Sequence, residues 1–381
     1  MNDVQPVEKI VSSYFADLTA PLDKAKVGKS VGILVGVTID SARYYFQFGD
    51  VGLQGDGSGS AVAMEDIVMF IGSNTKVFTG TMLALADVTQ ASAIPIRCDT
   101  DVADLLPSGT TLKLYKDVPI KLWHLATHSA GYPDGVCGTY PLGQYPFSAM
   151  QSFLEAFQPA YPPGEYWVYS NQAFALLGSL LSHAYTGGSS TTWDASYQAW
   201  PTYVMDLVVT PLGMPTTQVD LSNVTGQIAQ GYGFAAAGQP YTTAPLPDWL
   251  LTSAGLGAGA LSSTLRDMLT FLEAQITPPK SDLGAAIFKT QQPFGLPLSM
   301  GLGWQIGYGY WDKDGAISGF DSYMAFDTLA KVGVVALSNT DSNAVGGALT
   351  LACRNLLGAL GKIALGPSIF PRPKTTPQCP E

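Results

Sequence analysis

Residues 71–80 read IGSNTKVFTG. Ser73 and Asn74 are residue types that favour a helix N-terminus, and Val77, Phe78, Met82 and Leu83 supply an apolar stripe, so a helix is predicted from Ser73–Asn74 to about Ala86. Ser73 and Lys76, three apart, then share one face. A serine hydroxyl is a poor nucleophile until a base takes its proton. A lysine can take it when desolvation or a second cation lowers its pKa. The helix N-terminus also favours negative charge developing nearby. Alone, Ser-x-x-Lys is a weak signal, because a capped helix with a solvent-facing lysine carries the same letters. Its weight depends on the rest of the chain.

That rest excludes several classes. The chain has 381 residues, 46% of them apolar and only 13% charged. Disorder needs low hydrophobicity and high charge, and a coiled coil needs charged flanks. The net charge is −11, which leaves little for a basic nucleic-acid face or an anionic membrane surface. No apolar run reaches the roughly 18 residues of a membrane span. The first ten residues, MNDVQPVEKI, show neither a basic n-region nor an apolar h-region, so no secretory leader is read in the sequence. Cys98, Cys137, Cys353 and Cys379 have no C-x-x-C spacing, which argues against zinc; they allow two disulfides and demand none. Few charged residues among many Trp, Tyr, Gly and Pro point weakly to a periplasmic or secreted protein.

Val4–Lys24 has apolar residues at helical spacing, predicting an amphipathic N-terminal helix. Val31–Ile39 and Arg43–Phe48 read as a β-hairpin linked by Asp40–Ala42. Gly52–Ser60 is a loop by composition and lacks the spacing of a phosphate cradle. The middle of the chain is rich in Pro, Gly, Tyr and Trp, with helical segments near Ile120–His128, Ala149–Phe157 and Asn171–Ala184. Then follow a helix at Ser263–Gln275, strand-like runs at Met300–Tyr310, Gly315–Phe326 and Lys331–Ser338, and a helix over about Ala344–Leu360. Strands at both ends with helices between predict an α+β fold, its sheet assembled from the two ends. The expected division is a discontinuous sheet domain (1–86 and 250–366), a mainly helical domain (87–249) and a Pro-rich surface tail (367–381).

The chemistry narrows further. Of three histidines, His124 and His128 are four apart, but Leu125 stands where a zinc-binding H-E-x-x-H helix needs Glu, so a structural role is expected for both. No G-x-S-x-G segment exists. Tyr169-Ser170-Asn171 lies 96 residues after Ser73, within PPGEYWVYSN, and Lys313-Asp314-Gly315 lies within KDGAISGFDSYMAF.

With these three motifs in this order, the sequence resembles the serine β-lactamase and penicillin-recognising family, in the branch of class C β-lactamases, D-Ala-D-Ala carboxypeptidases and related esterases. LWHLATHSAGYP, PLGM, SAGLGAGALSSTLRDM, MGLGW and VGVVALSN match in order as well, so the resemblance covers roughly residues 5–360. It implies a β-lactamase/transpeptidase-like fold: an antiparallel sheet flanked by helices, a mainly helical domain, and the site between them. It implies that Ser73 is the acylated nucleophile and that Lys76 shares its proton. Tyr169 would be the base or acid, its phenolate held by two ammonium groups, with Lys313 the second of these. Asn171 would hydrogen-bond a substrate amide, and the backbone N–H groups of Ser73 and Ala316 would form an oxyanion hole. Neither metal nor cofactor is needed, and the partner is a small-molecule or peptide acyl substrate.

The third motif departs from the family's pattern. Lys313 and Gly315 are kept, but Asp314 and Ala316 stand where the family has hydroxyls that help to bind a substrate carboxylate. At close range Asp314 would repel such a carboxylate by roughly 1–4 kcal/mol. The expectation is therefore a serine hydrolase of esters, amides or β-lactams with weakened carboxylate recognition. Alternatives are a non-hydrolytic penicillin-binding or acyltransferase relative, or a D-amino-acid peptidase or amidase in which Asp314 receives a cation. Asp314 could equally turn away into a structural hydrogen bond.

Overall fold

The computed structural model describes residues 4–24, 31–54, 62–188, 191–224, 227–233, 242–295, 299–341, 346–362, 365–366, 368 and 370–380. Most of the predicted loop at 52–60 and the start of the last predicted helix lie outside them.

One six-stranded antiparallel sheet organises the chain. Its strands are β1 (Gly32–Ile39), β2 (Ala42–Gly49), β3 (Gln305–Gly307), β4 (Tyr310–Ile317), β5 (Phe320–Asp327) and β6 (Val332–Ser338), in the order β2-β1-β6-β5-β4-β3. The first hairpin joins the last strand, with Ile33 opposite Ser338 and Ile39 opposite Val332. The predicted assembly from both ends of the chain is thus observed. Strand β1 is apolar on both sides because both faces are covered. Ile33, Val35 and Val37 meet Val7, Val11 and Phe15 of helix α1 (Val4–Lys24) and Leu356 of the last helix. Leu34, on the opposite face, belongs to the larger core with Leu265 and Leu269. Gly36 lies against those two leucines, its missing side chain making room for them.

Two predicted runs are corrected. Gly315–Phe326 is not one strand: Gly319, at φ +78°, turns the chain between β4 and β5. Met300–Tyr310 holds only the three-residue β3, because Gly303 at φ +88° and the buried Trp304 bend the segment into the core first. A helix missed by periodicity, Asp282–Thr290, is capped by the Ser281 hydroxyl, which accepts from Gly284 N at 3.2 Å.

The predicted motif helix forms as α2 (Thr75–Thr89), entered through a tight turn at Gly72–Asn74. Thr75 through Ala86 are all buried, so Lys76 is not a surface lysine. Neither residue expected to cap the helix does so. Asn74 donates to Ser322 Oγ at 2.8 Å, which fastens the turn to β5. Helix α3 (Asn171–Thr186) is capped by Ser170, whose Oγ accepts from Ala173 N at 3.0 Å.

Strand β4 reaches beyond its short partner. β3 pairs only with Tyr310–Asp312, so the outer edge of Lys313–Ile317 faces the Gly72–Asn74 turn instead of a strand. Backbone meets backbone there. A Cβ on Gly315 would lie 2.2 Å from Ile71 O, and one on Gly72, at φ +48°, would lie 2.9 Å from Ala316 N. On the far face of β4, buried Asp312 accepts from the Tyr323 hydroxyl and from Arg354 Nε at 2.7 Å and Nη2 at 2.6 Å. Neighbours on a strand alternate sides, so this anchor holds β4 with Lys313 facing the other way.

Removing the cation from that anchor would strand a buried carboxylate. Arg354→Ala should lower unfolding stability by roughly 3 kcal/mol, while Asp312→Leu combined with Arg354→Met should lose far less. Urea denaturation measures both, and equal losses would show that the ion pair is not what matters.

Candidate active site

Ser73, Lys76, Tyr169, Asn171 and Lys313, scattered over 240 residues of sequence, converge. Ser73 Oγ lies in hydrogen-bond contact with the Tyr169 hydroxyl on one side and 2.9 Å from Lys76 Nζ on the other. Lys76 Nζ is also 2.8 Å from Asn171 Oδ1 and 2.6 Å from the carbonyl oxygen of Ala258. Those two oxygens only accept. A neutral amine has two N–H donors and one lone pair. Donating to Asn171 and Ala258, a neutral Lys76 would leave its lone pair facing the Ser73 hydroxyl. The electrostatics agree: burial, and then the Lys313 ammonium, hold the Lys76 pKa well below the ordinary lysine value.

Tyr169 completes the relay from the other side. Burial pushes its phenol up, aided by Asp314. That shift favours a phenol in hydrogen-bond contact with Ser73 Oγ over the phenolate expected from two nearby ammonium groups. The two lysine nitrogens lie over its ring, Lys76 Nζ at 5.0 Å and Lys313 Nζ at 5.4 Å from the centroid.

Lys313 is buried, and its Nζ donates to the carbonyl of Asp314 at 2.6 Å and to Asp314 Oδ1 at 3.1 Å. Gln305 Nε2 donates to the same Oδ1 at 3.0 Å. The Asp314 side chain is 55% exposed at the mouth of the site, and Lys313 holds its carboxyl below the usual range. Asp314 thus neither turns away into the fold nor stands alone as an anion; it forms a neutral pair with the lysine beside it. Gly315 and Ala316 follow along the free edge of β4, where the Ala316 backbone packs on Gly72 next to Ser73.

His124 and His128 are both buried and accept from backbone N–H groups. His124 Nδ1 accepts from Lys121 N, and burial holds its pKa down at about 3. His128 Nδ1 accepts from Ser170 N at 3.0 Å behind Tyr169, its ring centroid 4.5 Å from the phenol ring. Among the described residues no group of His, Cys, Asp and Glu could hold a metal ion.

A cleft of about 560 Å³ opens from Ser73, Asn171 and Ala316. Pro141, Leu142, Leu246, Pro247, Trp249 and Ile317 make its walls apolar, and Gln144 with Asp248 forms a hydrogen-bonded polar pair in it. Sequence reasoning missed Ala258, Gln305 and these walls. Ala258 acts through a main-chain carbonyl, which no side-chain pattern reveals. Its position depends on close backbone packing of Gly257 against Gly178 of α3, where a Cβ would come within 3.0 Å.

The chain is similar to known proteins in sequence and in fold. A β-lactamase of Yersinia enterocolitica is 26% identical over 357 residues, covering 81% of this chain and 82% of its own. The unguisins hydrolase ungD' of Aspergillus campestris is 26% identical over 308 residues, covering 74% of this chain and 55% of its own. A class C β-lactamase structure superposes with a TM-score of 0.73 at 18% identity, covering 94% of this chain and 98% of the other; one in complex with cefoxitin does so equally, over 93% and 99%. Residues 15–352 match the Beta-lactamase family, and the chain belongs to that family of serine hydrolases.

Proposed function

We propose that the protein hydrolyses an ester or amide whose scissile bond has no charged group beside it, through an acyl-enzyme on Ser73. The observation that carries this reading is the position of Lys76 Nζ between two pure acceptors and the Ser73 hydroxyl. Lys76 removes the proton of Ser73 Oγ as it attacks the carbonyl carbon. The carbonyl oxygen takes the negative charge facing the Ser73 and Ala316 N–H groups. Tyr169 gives its proton to the leaving atom as the bond breaks. The site then holds a Lys76 ammonium and a Tyr169 phenolate, and only at this stage do the two ammonium groups support a phenolate. That phenolate takes a proton from water attacking the acyl group, and Lys76 returns its own to Ser73 Oγ. Every group ends as it began, with no metal or cofactor.

Substrate preference follows from charge and shape. The Lys313–Asp314 pair has no net charge, so a carboxylate next to the scissile bond gains little from Lys313. That argues against penicillins and C-terminal D-Ala peptides as preferred substrates. The same neutrality removes the motive for a cationic substrate. The apolar walls around Leu142, Leu246 and Trp249 favour an apolar acyl group. The likeness to a protein named as an unguisins hydrolase supports a substrate other than a β-lactam. The Cys137–Cys379 disulfide supports an exported, oxidising setting.

Ser73→Ala should abolish labelling by a fluorophosphonate while the melting temperature stays near wild type; retained labelling would place the nucleophile elsewhere. The base form of Lys76 is the active one, and its pKa is lowered, so kcat/KM should rise with pH through an apparent pKa well below that of a free lysine. Lys313→Met removes the ammonium that helps to keep Lys76 unprotonated, so this limb should move to higher pH; an unmoved limb would assign the ionisation to another group. Asp314→Thr should raise kcat/KM for benzylpenicillin by about tenfold, the scale of one unscreened charge near the surface. Its activity on a neutral ester serves as the reference, and no change in the ratio between the two would remove Asp314 from substrate choice.

A further inference from the structure

The chain beyond the last helix does not trail away from the site. Gly366 pairs with Tyr308 at the β3–β4 hairpin, so this segment starts on the sheet. Phe370 then stacks on Trp167, with ring centroids 4.7 Å apart and an interplanar angle of 19°. Trp167 N donates to Pro371 O at 2.7 Å, and the Arg372 guanidinium lies 4.9 Å from the centre of the same indole ring. Cys379 is bonded to Cys137, 242 residues earlier, in the loop that packs on the start of α3 through Gly135 O and Gln172 N. Residues 370–379 therefore form a strap, fastened covalently at one end and by ring stacking near the other.

What the strap fastens onto is two residues from Tyr169. The Trp167 and Tyr169 rings are 6.4 Å apart, and both Tyr169 and Phe370 pack on the cluster of Trp167 and Met300. Under the mechanism above, Tyr169 protonates the leaving atom, so the departing group lies on Tyr169's side of Ser73. The open cleft is lined by other residues. Its lining includes Ser73, Asn171 and Ala316 but not Tyr169, Lys313 or any residue of the strap. The acyl group has about 560 Å³ available. A leaving group that extends past Tyr169 would meet Trp167 and Phe370.

We propose that the strap sets leaving-group specificity: Phe370, held on Trp167 by the Cys137–Cys379 bond, closes the Tyr169 side of the site and restricts the enzyme to short leaving groups. This rests on the acyl-transfer reading of Ser73 and goes beyond it. Specificity here arises from a built-in obstruction and not from an added attraction. It is also independent of the acyl side, because the two walls belong to different segments of the chain.

The test compares phenyl and 4-biphenylyl esters of one acid, whose leaving groups differ little in acidity and much in length. The wild type should favour the phenyl ester by about tenfold or more in kcat/KM, the scale of one misfitting group in a pocket. Cys379→Ser frees the strap, and Phe370→Ala lowers the wall. Each should raise the biphenylyl rate and bring the ratio towards unity. The preference between acetyl and phenylacetyl phenyl esters should stay as in the wild type. Mass spectrometry of the acyl adduct on Ser73 separates the two levels of the argument. An adduct with no discrimination in the wild type, or with a ratio unmoved in both variants, overturns the strap's role. Absence of an adduct from either ester overturns the acyl-transfer reading and the strap's role with it.

Discussion

A lysine amine kept out of water is the constraint on which the site depends. Burying an ammonium is costly unless it is fully paired, and among the described residues no carboxylate is bonded to Lys76. Two neutral oxygens and a hydroxyl surround it instead. Burial and the Lys313 charge hold its pKa down, and much of the surrounding structure keeps those three oxygens in place. α2 is buried almost throughout its length. α3 brings Asn171 to Nζ from one side, and the turn at 256–259 brings the Ala258 carbonyl from another. The free edge of β4 closes the arrangement against Gly72, where only a glycine admits the approaching backbone.

The chemistry is arranged in two halves with different polarity. On one side of Ser73 lies a roomy, mostly apolar cleft. On the other lie both lysines, Tyr169 and the acidic neighbour of Lys313, with charges that nearly cancel. An Asp where a hydroxyl might stand does not remove the local positive field. It converts Lys313 from a free ammonium into half of a neutral pair, while leaving its Nζ 5.4 Å from the ring that must carry a phenolate during turnover. Support for the intermediate and attraction for the substrate are thereby separated.

The parts of this arrangement visible in the sequence are those that depend on side-chain identity in a fixed order. Ser73, Lys76, Tyr169, Asn171 and Lys313 were legible, as were the long helices and β1, whose apolar runs follow directly from burial. The breaks in the later strands were not, because Gly303 and Gly319 act through backbone angles that periodicity does not encode. Counting the cations near Tyr169 says nothing of desolvation, which raises its phenol and needs the fold to be seen. Ala258 was hidden because its carbonyl and not its side chain does the work. The Pro-rich tail does lie on the surface, as its prolines imply, but the stacking of Phe370 on Trp167 and the pairing of Cys137 with Cys379 depend on tertiary proximity alone.

The pairing of β1 with β6 has a kinetic consequence. Ile33 finds Ser338 only after some three hundred intervening residues are available and collapsed. Until then the β1–β2 hairpin presents an unpaired apolar edge, a template for association with other chains. Topologies dominated by such distant pairings fold slowly. Escape from aggregation during synthesis therefore depends on how long that edge stays open, because helix α1 covers a face of the strand and leaves its edge bare until Val332–Ser338 arrive.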